Sequence, residues 1–266
     1  MPPFAADTIG CELVMTELRA LLFDVDGTLA ETEEVHRVAF NTAFAEAGLD
    51  WVWSVDLYRA LLAVTGGKER IRHYLDKYRP EYVRPANLDE LIVALHQAKT
   101  RIYTETVADG GVPLRPGVRR LLAQARAAGI RMAIATTTTP ENVTALLNTS
   151  LAPEGEGWFE VIAAGSMVPK KKPAPDIFIY AMERMGVKPE ECLALEDSEN
   201  GLIAARAAGL KTLVTVSDFT QGHDFSGAVL LLDHLGEPDA PFHVLAGDAG
   251  AAQYVDVDLL KRLHAR

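Results

Sequence analysis

Six short apolar runs punctuate the chain: Ala20–Phe23, Met132–Ala135, Val161–Ala163, Cys192–Leu195, Thr212–Val216 and Val229–Leu232. Most are followed by an amphipathic segment. "RPGVRRLLAQARAAG" opens with Pro116 and stops at Gly129, "APDIFIYAMERMG" stops at Gly186, and "SENGLIAARAAG" stops at Gly209. Proline suits the first turn of a helix and glycine its end. Short strands alternating with helices predict the α/β class: a Rossmann-like parallel sheet with helices on its faces.

The pattern changes between about Glu31 and Gly111. Val35, Ala39 and Phe44, then Ile71, Tyr74 and Leu75, then Leu91, Leu95 and Ile102 recur at helical spacing, with no strand between them. This predicts a helical insertion directly after the first strand. The expected organisation is an N-terminal extension (1–17), an α/β core (18–30 and 112–235), a helical cap (31–111) and a C-terminal tail (236–266) packed on the core. Within the tail, "VDVDLLKRLHAR" suggests a short helix; the rest gives no clear signal.

Composition narrows the function. The net charge of -11 disfavours nucleic acid and anionic lipid as partners. No apolar run approaches the ~20 residues of a membrane span, and no targeting signal is visible at the N-terminus. Of the two cysteines, Cys192 falls in a strand and reads as a reduced core thiol, and a single possible Cys11–Cys192 pair argues against a disulfide framework. A cytoplasmic monomer is the expectation.

Chemistry gathers at the strand ends, where open parallel sheets place their ligands. "RALLFDVDGTLAETEEVH" delivers Asp24 and Asp26 straight from an apolar strand. "RMAIA" runs into Thr136–Thr139, "VIAAGSMVPKKKPAPD" carries Lys170, Lys171 and Lys172, and "CLALEDS" ends in Glu196 and Asp197. Up to four carboxylates in one crevice repel one another unless a cation joins them. An all-oxygen set with room for water and phosphate suits Mg2+. The hydroxyls and lysines nearby suit a phosphoryl group. On this reading one aspartate helps to hold the metal while the other handles a proton. Each piece has a plainer reading. "DVDG" occurs in calcium loops, "EDS" makes a helix N-cap, and threonine and lysine runs are commonly solvated loops. Only the order of all four, each after a strand, makes them specific.

"DVDGT", the threonine after "MAIA", "KPAPDIF" and "LEDSENG" resemble the four motifs of the haloacid dehalogenase-like hydrolase superfamily, over roughly Leu18 to Val216. The resemblance implies Asp24 as nucleophile and Asp26 as general acid/base. It implies Thr136 and Lys172 as phosphoryl ligands, and a Mg2+ site of Asp24, the Asp26 carbonyl, Glu196 and Asp197. Within the superfamily, "DGTLAETEEVH", "VTGGKERI" and "IATTTT" are similar to the CbbY-like branch, which includes xylulose-1,5-bisphosphate phosphatases; β-phosphoglucomutase is a near relative. That likeness puts Glu31, Thr32 and His36 at the hinge and substrate side of the cap, and Thr137 beside the substrate. The "GGKER" turn adds Gly67, Lys68 and Arg70 as candidates for a second phosphate, since a glycine-led helix start receives anions well. The implied activity is Mg2+-dependent hydrolysis of a phosphorylated sugar, with a bisphosphate as the expected substrate, through an aspartyl-phosphate. A phosphosugar mutase and a silent binding protein are the rival readings.

Overall fold

The computed structural model describes residues 16–110, 112–151 and 155–266. Cys11 and nearly all of the expected extension lie outside the described residues. Strand β1 (Ala20–Phe23) leads into helices α1 (Glu33–Glu46), α2 (Val55–Leu61), α3 (Gly67–Lys77), α4 (Leu88–Ala108) and α5 (Val118–Ala127). Strand β2 (Arg131–Ala135), helix α6 (Pro140–Ser150), strand β3 (Val161–Ala163) and helix α7 (Asp176–Met185) follow. The chain then forms β4 (Cys192–Glu196), α8 (Glu199–Ala207), β5 (Lys211–Thr215), β6 (Leu230–Leu232), β7 (Val244–Gly247) and α9 (Val257–Ala265).

The sheet has the order β3-β2-β1-β4-β5-β6-β7. Its first six strands are parallel, and β7 runs antiparallel to β6. β1 is central and buried at all four residues, because helices cover both faces of a parallel sheet. Phe23 sits in register with Ile134 of β2 and Leu195 of β4. Strand order reverses at β1, so the crevice between β1 and its neighbours is where such sheets bind ligands. Asp24, Thr136 and Glu196 all emerge at that edge.

Two features exceed the sequence reading. β4 extends to Glu196, so this carboxylate leaves a rigid strand rather than a loop. β7 carries no sequence signal, because its four residues are exposed and it joins the sheet edge by backbone pairing alone. Helix α9 is capped by Asp256, whose carboxylate accepts the Leu259 N–H at 2.7 Å, and buries Leu259, Leu260 and Leu263 against the sheet-side core.

Helices α1 to α4 form their own layer around aromatic rings. Phe40, Phe44, Trp51, Trp53, Tyr58 and Tyr74 are all buried, with Phe40 and Trp53 centroids 4.7 Å apart. Helix α4 joins this layer to the core. Its Ile92 and Leu95 enter the aromatic cluster, while Tyr103 and Val107 enter the sheet-side cluster. From the core, Phe219 returns the contact, edge-on to Tyr58 at 5.8 Å.

Candidate active site

Asp24 leaves β1 with its N–H bonded to the Leu195 carbonyl at 3.0 Å, which fixes its backbone against β4. Its carboxylate meets Lys172 Nζ at 2.6 Å, and the same ammonium reaches Glu196 Oε1 at 2.5 Å. All three groups are buried. Burial alone would drive Lys172 toward the neutral amine, but Asp24 and Glu196 reverse this and hold it protonated. Burial pushes the Asp24 carboxyl up to about 7, with Lys172 opposing the shift and Glu196 and Asp26 adding to it. Lys170 and Lys171 do not share this position. Lys171 instead pairs with Glu69 of α3 at 2.8 Å.

Asp197 follows Glu196 and is equally buried. Ser217 donates its hydroxyl to Asp197 Oδ2 at 2.8 Å. Burial, Asp24 and Glu196 together raise the Asp197 carboxyl well above its usual range. Ligand oxygens of Asp24, Glu196 and Asp197 lie within 4.8 Å of one another. Three carboxylates share one ammonium, so the cluster is two positive charges short of neutrality. That deficit and the all-oxygen donor set fit a hard divalent cation. Packing is tight around it. Gly27 has φ +81°, and a Cβ there would run into the Asp197 carboxylate; a Cβ on Gly201 would run into that of Glu196.

Asp26 lives in the opposite environment. Burial raises its pKa, but His36 and Thr32 outweigh that and take it below the ordinary carboxylate range. Thr32 donates its hydroxyl at 2.5 Å, and His36 Nε2 lies at 3.0 Å. His36 Nδ1 is 2.6 Å from Lys99 Nζ, and its ring stacks on Tyr103 at 4.2 Å. Burial lowers Lys99 to about 8, with Asp26 and Glu33 opposing, so near neutrality it is still largely an ammonium. An ammonium donating to Nδ1 leaves the hydrogen on Nε2, aimed at Asp26. The result is a buried line, Lys99–His36–Asp26, that holds Asp26 as a carboxylate.

A cavity of about 420 Å3 separates the two layers. Its core wall carries Asp24, Asp26, Thr136, Thr137, Lys172 and Asp197; its helical wall carries His36, Gly67, Lys68, Arg70, His96 and Lys99. Glu196 lies just beneath, fully buried. Two expected contacts are redirected. Glu31 is absent from this lining, and its carboxylate pairs with Arg115 Nε at 2.9 Å. Arg70 borders the cavity, but its guanidinium donates to the Tyr58 hydroxyl at 3.0 Å and the Val64 carbonyl at 3.3 Å, which occupies much of its capacity. Tyr58 in turn donates to Glu33 at 2.8 Å. Lys68 keeps its place at the cavity, beside His96, whose imidazole is lowered to about 4 by burial and then by Lys99, Lys68 and Lys171.

Several participants escaped the sequence reading. Lys99 had a detectable signal: it falls on the buried stripe Ile92, Leu95, Lys99, Tyr103, Val107 of one helix, where a lysine is out of place. Thr32 is expected at the hinge, but its bond is not: it stands at the N-cap of α1, makes no cap hydrogen bond and gives its hydroxyl to Asp26 instead. Ser217 and Arg115 had no signal, since loop serines and a pre-proline arginine are commonplace. Cys192 is a buried free thiol whose pKa burial pushes up to about 12. Among the described residues no helix is long and apolar enough to cross a membrane.

A family model described as haloacid dehalogenase-like hydrolase matches residues 18–209. The chain is 49% identical over 249 residues to protein CbbY (plasmid) of Cupriavidus necator, covering 93% of this chain and 97% of that one. It is 54% identical over 212 residues to protein CbbY of Rhodobacter capsulatus, covering 80% and 91%. Among solved structures, CbbY of Rhodobacter sphaeroides superposes with a TM-score of 0.76 at 48% identity, over 82% of this chain and 94% of that one. That protein is seen with phosphate and, as an Asp-to-Asn mutant, with xylulose-(1,5)bisphosphate.

Proposed function

The chain belongs to the haloacid dehalogenase-like hydrolase family, in its CbbY group, and on that premise we propose that it is a Mg2+-dependent phosphatase of a ketopentose bisphosphate of the xylulose-1,5-bisphosphate type. The observation that carries the proposal is the cavity with two unlike charged walls: Asp24 with Lys172 on one side, Lys68 facing it from the other. One phosphoryl group fits at Asp24. The second fits at Lys68, with Gly67 at the turn.

Asp24 is the nucleophile. Its backbone is tied to β4 and its carboxylate is aimed by Lys172, so attack on phosphorus costs little reorganisation. The transfer breaks the bond from phosphorus to the sugar oxygen and leaves an aspartyl-phosphate on Asp24. Lys172 and the Thr136 region supply donors to the phosphoryl oxygens. Asp24, the Asp26 carbonyl, Glu196 and Asp197 are the residues to hold Mg2+, which when bound neutralises phosphoryl charge as a Lewis acid. Asp26 protonates the leaving sugar oxygen and later takes a proton from the water that attacks the aspartyl-phosphate. Thr32 and His36 hold it in the carboxylate form, the state that the second step requires. The proton that it gives to the leaving oxygen is the one that it took from the attacking water in the preceding turnover. Helices α1–α4 act as the cap that covers the reacting groups and excludes water while the sugar is bound.

The test is phosphate release from xylulose 1,5-bisphosphate, with and without a chelator, while isomeric sugar phosphates are followed by NMR. Stoichiometric phosphate, lost on chelation and regained with Mg2+, is expected. Isomer formation without phosphate release would make the enzyme a mutase, and neither product would leave a binding protein.

A further inference from the structure

We propose that Arg115 is a positioning residue: one buried guanidinium that sets the loop after Asp26, the loop that holds Asp197 and the first hinge of the cap in a single arrangement. The proposal rests on the phosphatase reading above. Arg115 lies where the chain returns from the helical insertion to the sheet. There Ala30 and Leu114 form an antiparallel bridge, and the Arg115 N–H donates to the Leu29 carbonyl at 2.9 Å, so the outgoing and returning linkers run side by side. Pro116 restricts Arg115 to extended backbone, which suits that pairing.

The side chain then turns inward and is only 9% exposed. Nε meets the Glu31 carboxylate at 2.9 Å. One terminal nitrogen donates to the Gly27 carbonyl and to the carbonyl and hydroxyl of Thr215, the last two at 3.0 Å. The other donates to the carbonyls of Val216 at 2.6 Å and Asp233 at 2.7 Å. Both terminal nitrogens therefore donate to buried oxygens, while Nε faces Glu31 as an ion pair. No other side chain carries five donors in one plane, and a lysine would leave several of these buried oxygens unpaired.

The identity of the acceptors separates positioning from mere packing. Gly27 follows Asp26 directly and rests against the Asp197 carboxylate. Thr215 and Val216 precede Ser217, whose hydroxyl holds Asp197. Glu31 is the first residue past the catalytic loop, so its bond to Arg115 ties the outgoing hinge to the returning one. A shift of the guanidinium moves the proton-handling carboxylate, a candidate metal ligand and the cap hinge together. Misplacement of about 1 Å at such groups is enough to cost about a hundredfold in rate.

The experiment uses Arg115→Met, Arg115→Lys and Glu31→Gln in the full chain. It measures kcat and KM on p-nitrophenyl phosphate and xylulose 1,5-bisphosphate, Mg2+ affinity by calorimetry, and thermal melting. We expect Arg115→Met to lower kcat about 10- to 100-fold on both substrates, with KM changed less than about threefold and Mg2+ bound several-fold more weakly. Arg115→Lys should recover part of both losses, and Glu31→Gln should lower kcat several-fold. A folded Arg115→Met with wild-type kcat and Mg2+ affinity overturns the proposal, as does a rate loss that only follows the unfolded fraction. If Arg115→Met does not fold, the other two variants decide, and wild-type values in both overturn it. If the wild type itself releases no phosphate from either substrate, the phosphatase reading fails instead, and the Mg2+ calorimetry still judges Arg115.

Discussion

On the core wall of the cavity, Asp24 and Glu196 share one lysine with Asp197 close beside them, while the helical wall brings Lys68, Arg70 and Lys99 with Glu33 as its own lining carboxylate. The core wall wants a cation and the helical wall wants an anion. A phosphorylated substrate with a divalent metal answers both. The means of support differ as well. Core groups leave β1 and β4, whose backbones are paired to neighbours on both sides, so their spacing is set before any ligand arrives. Groups of the helical wall sit on α1, α3 and α4, a layer with its own aromatic core, so their spacing is set within that layer and not by the sheet. In the proposed phosphatase, the chemistry falls to the core wall and the selection of the second phosphate to the helical one.

The sharpest way to break this comparison is Asp24→Asn. An amide cannot form the acyl-phosphate, so turnover should fall by about four orders of magnitude or more on every substrate, with melting little changed. Substantial residual rate in a protein checked for deamidation would remove the core wall's assigned role.

Lys68→Ala should separate the walls. The loss of one charge-assisted contact, about 1.5–3 kcal/mol, corresponds to roughly a tenfold to hundredfold drop in kcat/KM for a bisphosphate. p-Nitrophenyl phosphate has no second phosphate and should be hydrolysed nearly as before. Equal losses on both substrates would mean that Lys68 supports structure or chemistry rather than selection.

A smaller effect concerns pH. Asp24, raised to about 7 by burial against the pull of Lys172, keeps a proton that the unfolded chain gives up near pH 4. Its contribution to stability is therefore present at low pH and lost as pH rises toward 7 and above. Asp26 behaves oppositely: lowered by His36 and Thr32 despite burial, it stabilises above the unfolded carboxylate value and loses that contribution in acid. Mg2+ competes with the Asp24 proton. Its affinity should drop roughly tenfold from pH 8 to pH 6, and the rise in Tm that it produces should shrink by about 2–4 °C. Thermal melts with and without Mg2+ at both pH values measure this, and an identical shift at each would show that Asp24 is not the group that the cation displaces.

The smallest expected effect tests the line behind Asp26. Lys99→Met should move the acidic limb of the kcat profile, because a charged Lys99 no longer fixes the hydrogen of His36 on Nε2. A pH profile unchanged in shape would mean that Lys99 merely packs between Phe40 and Tyr103.

From the sequence alone came the parallel α/β class, the helical insertion and the strand-end groups Asp24, Asp26, Thr136, Lys172, Glu196 and Asp197. Those features are written locally: an apolar run, a glycine, a charged residue just past the strand. Register in a parallel sheet then brings every such end to one edge. Long-range pairing left no comparable trace. That Glu31 turns to Arg115 and that Arg70 is taken up by Tyr58 were decided by which partners the folded chain placed nearby. The same holds for Lys99 and His36, 63 positions apart and joined only when α4 packs on α1. A buried charge takes whatever partner satisfies it, and that partner is chosen by packing in three dimensions rather than by the residues beside it in the chain.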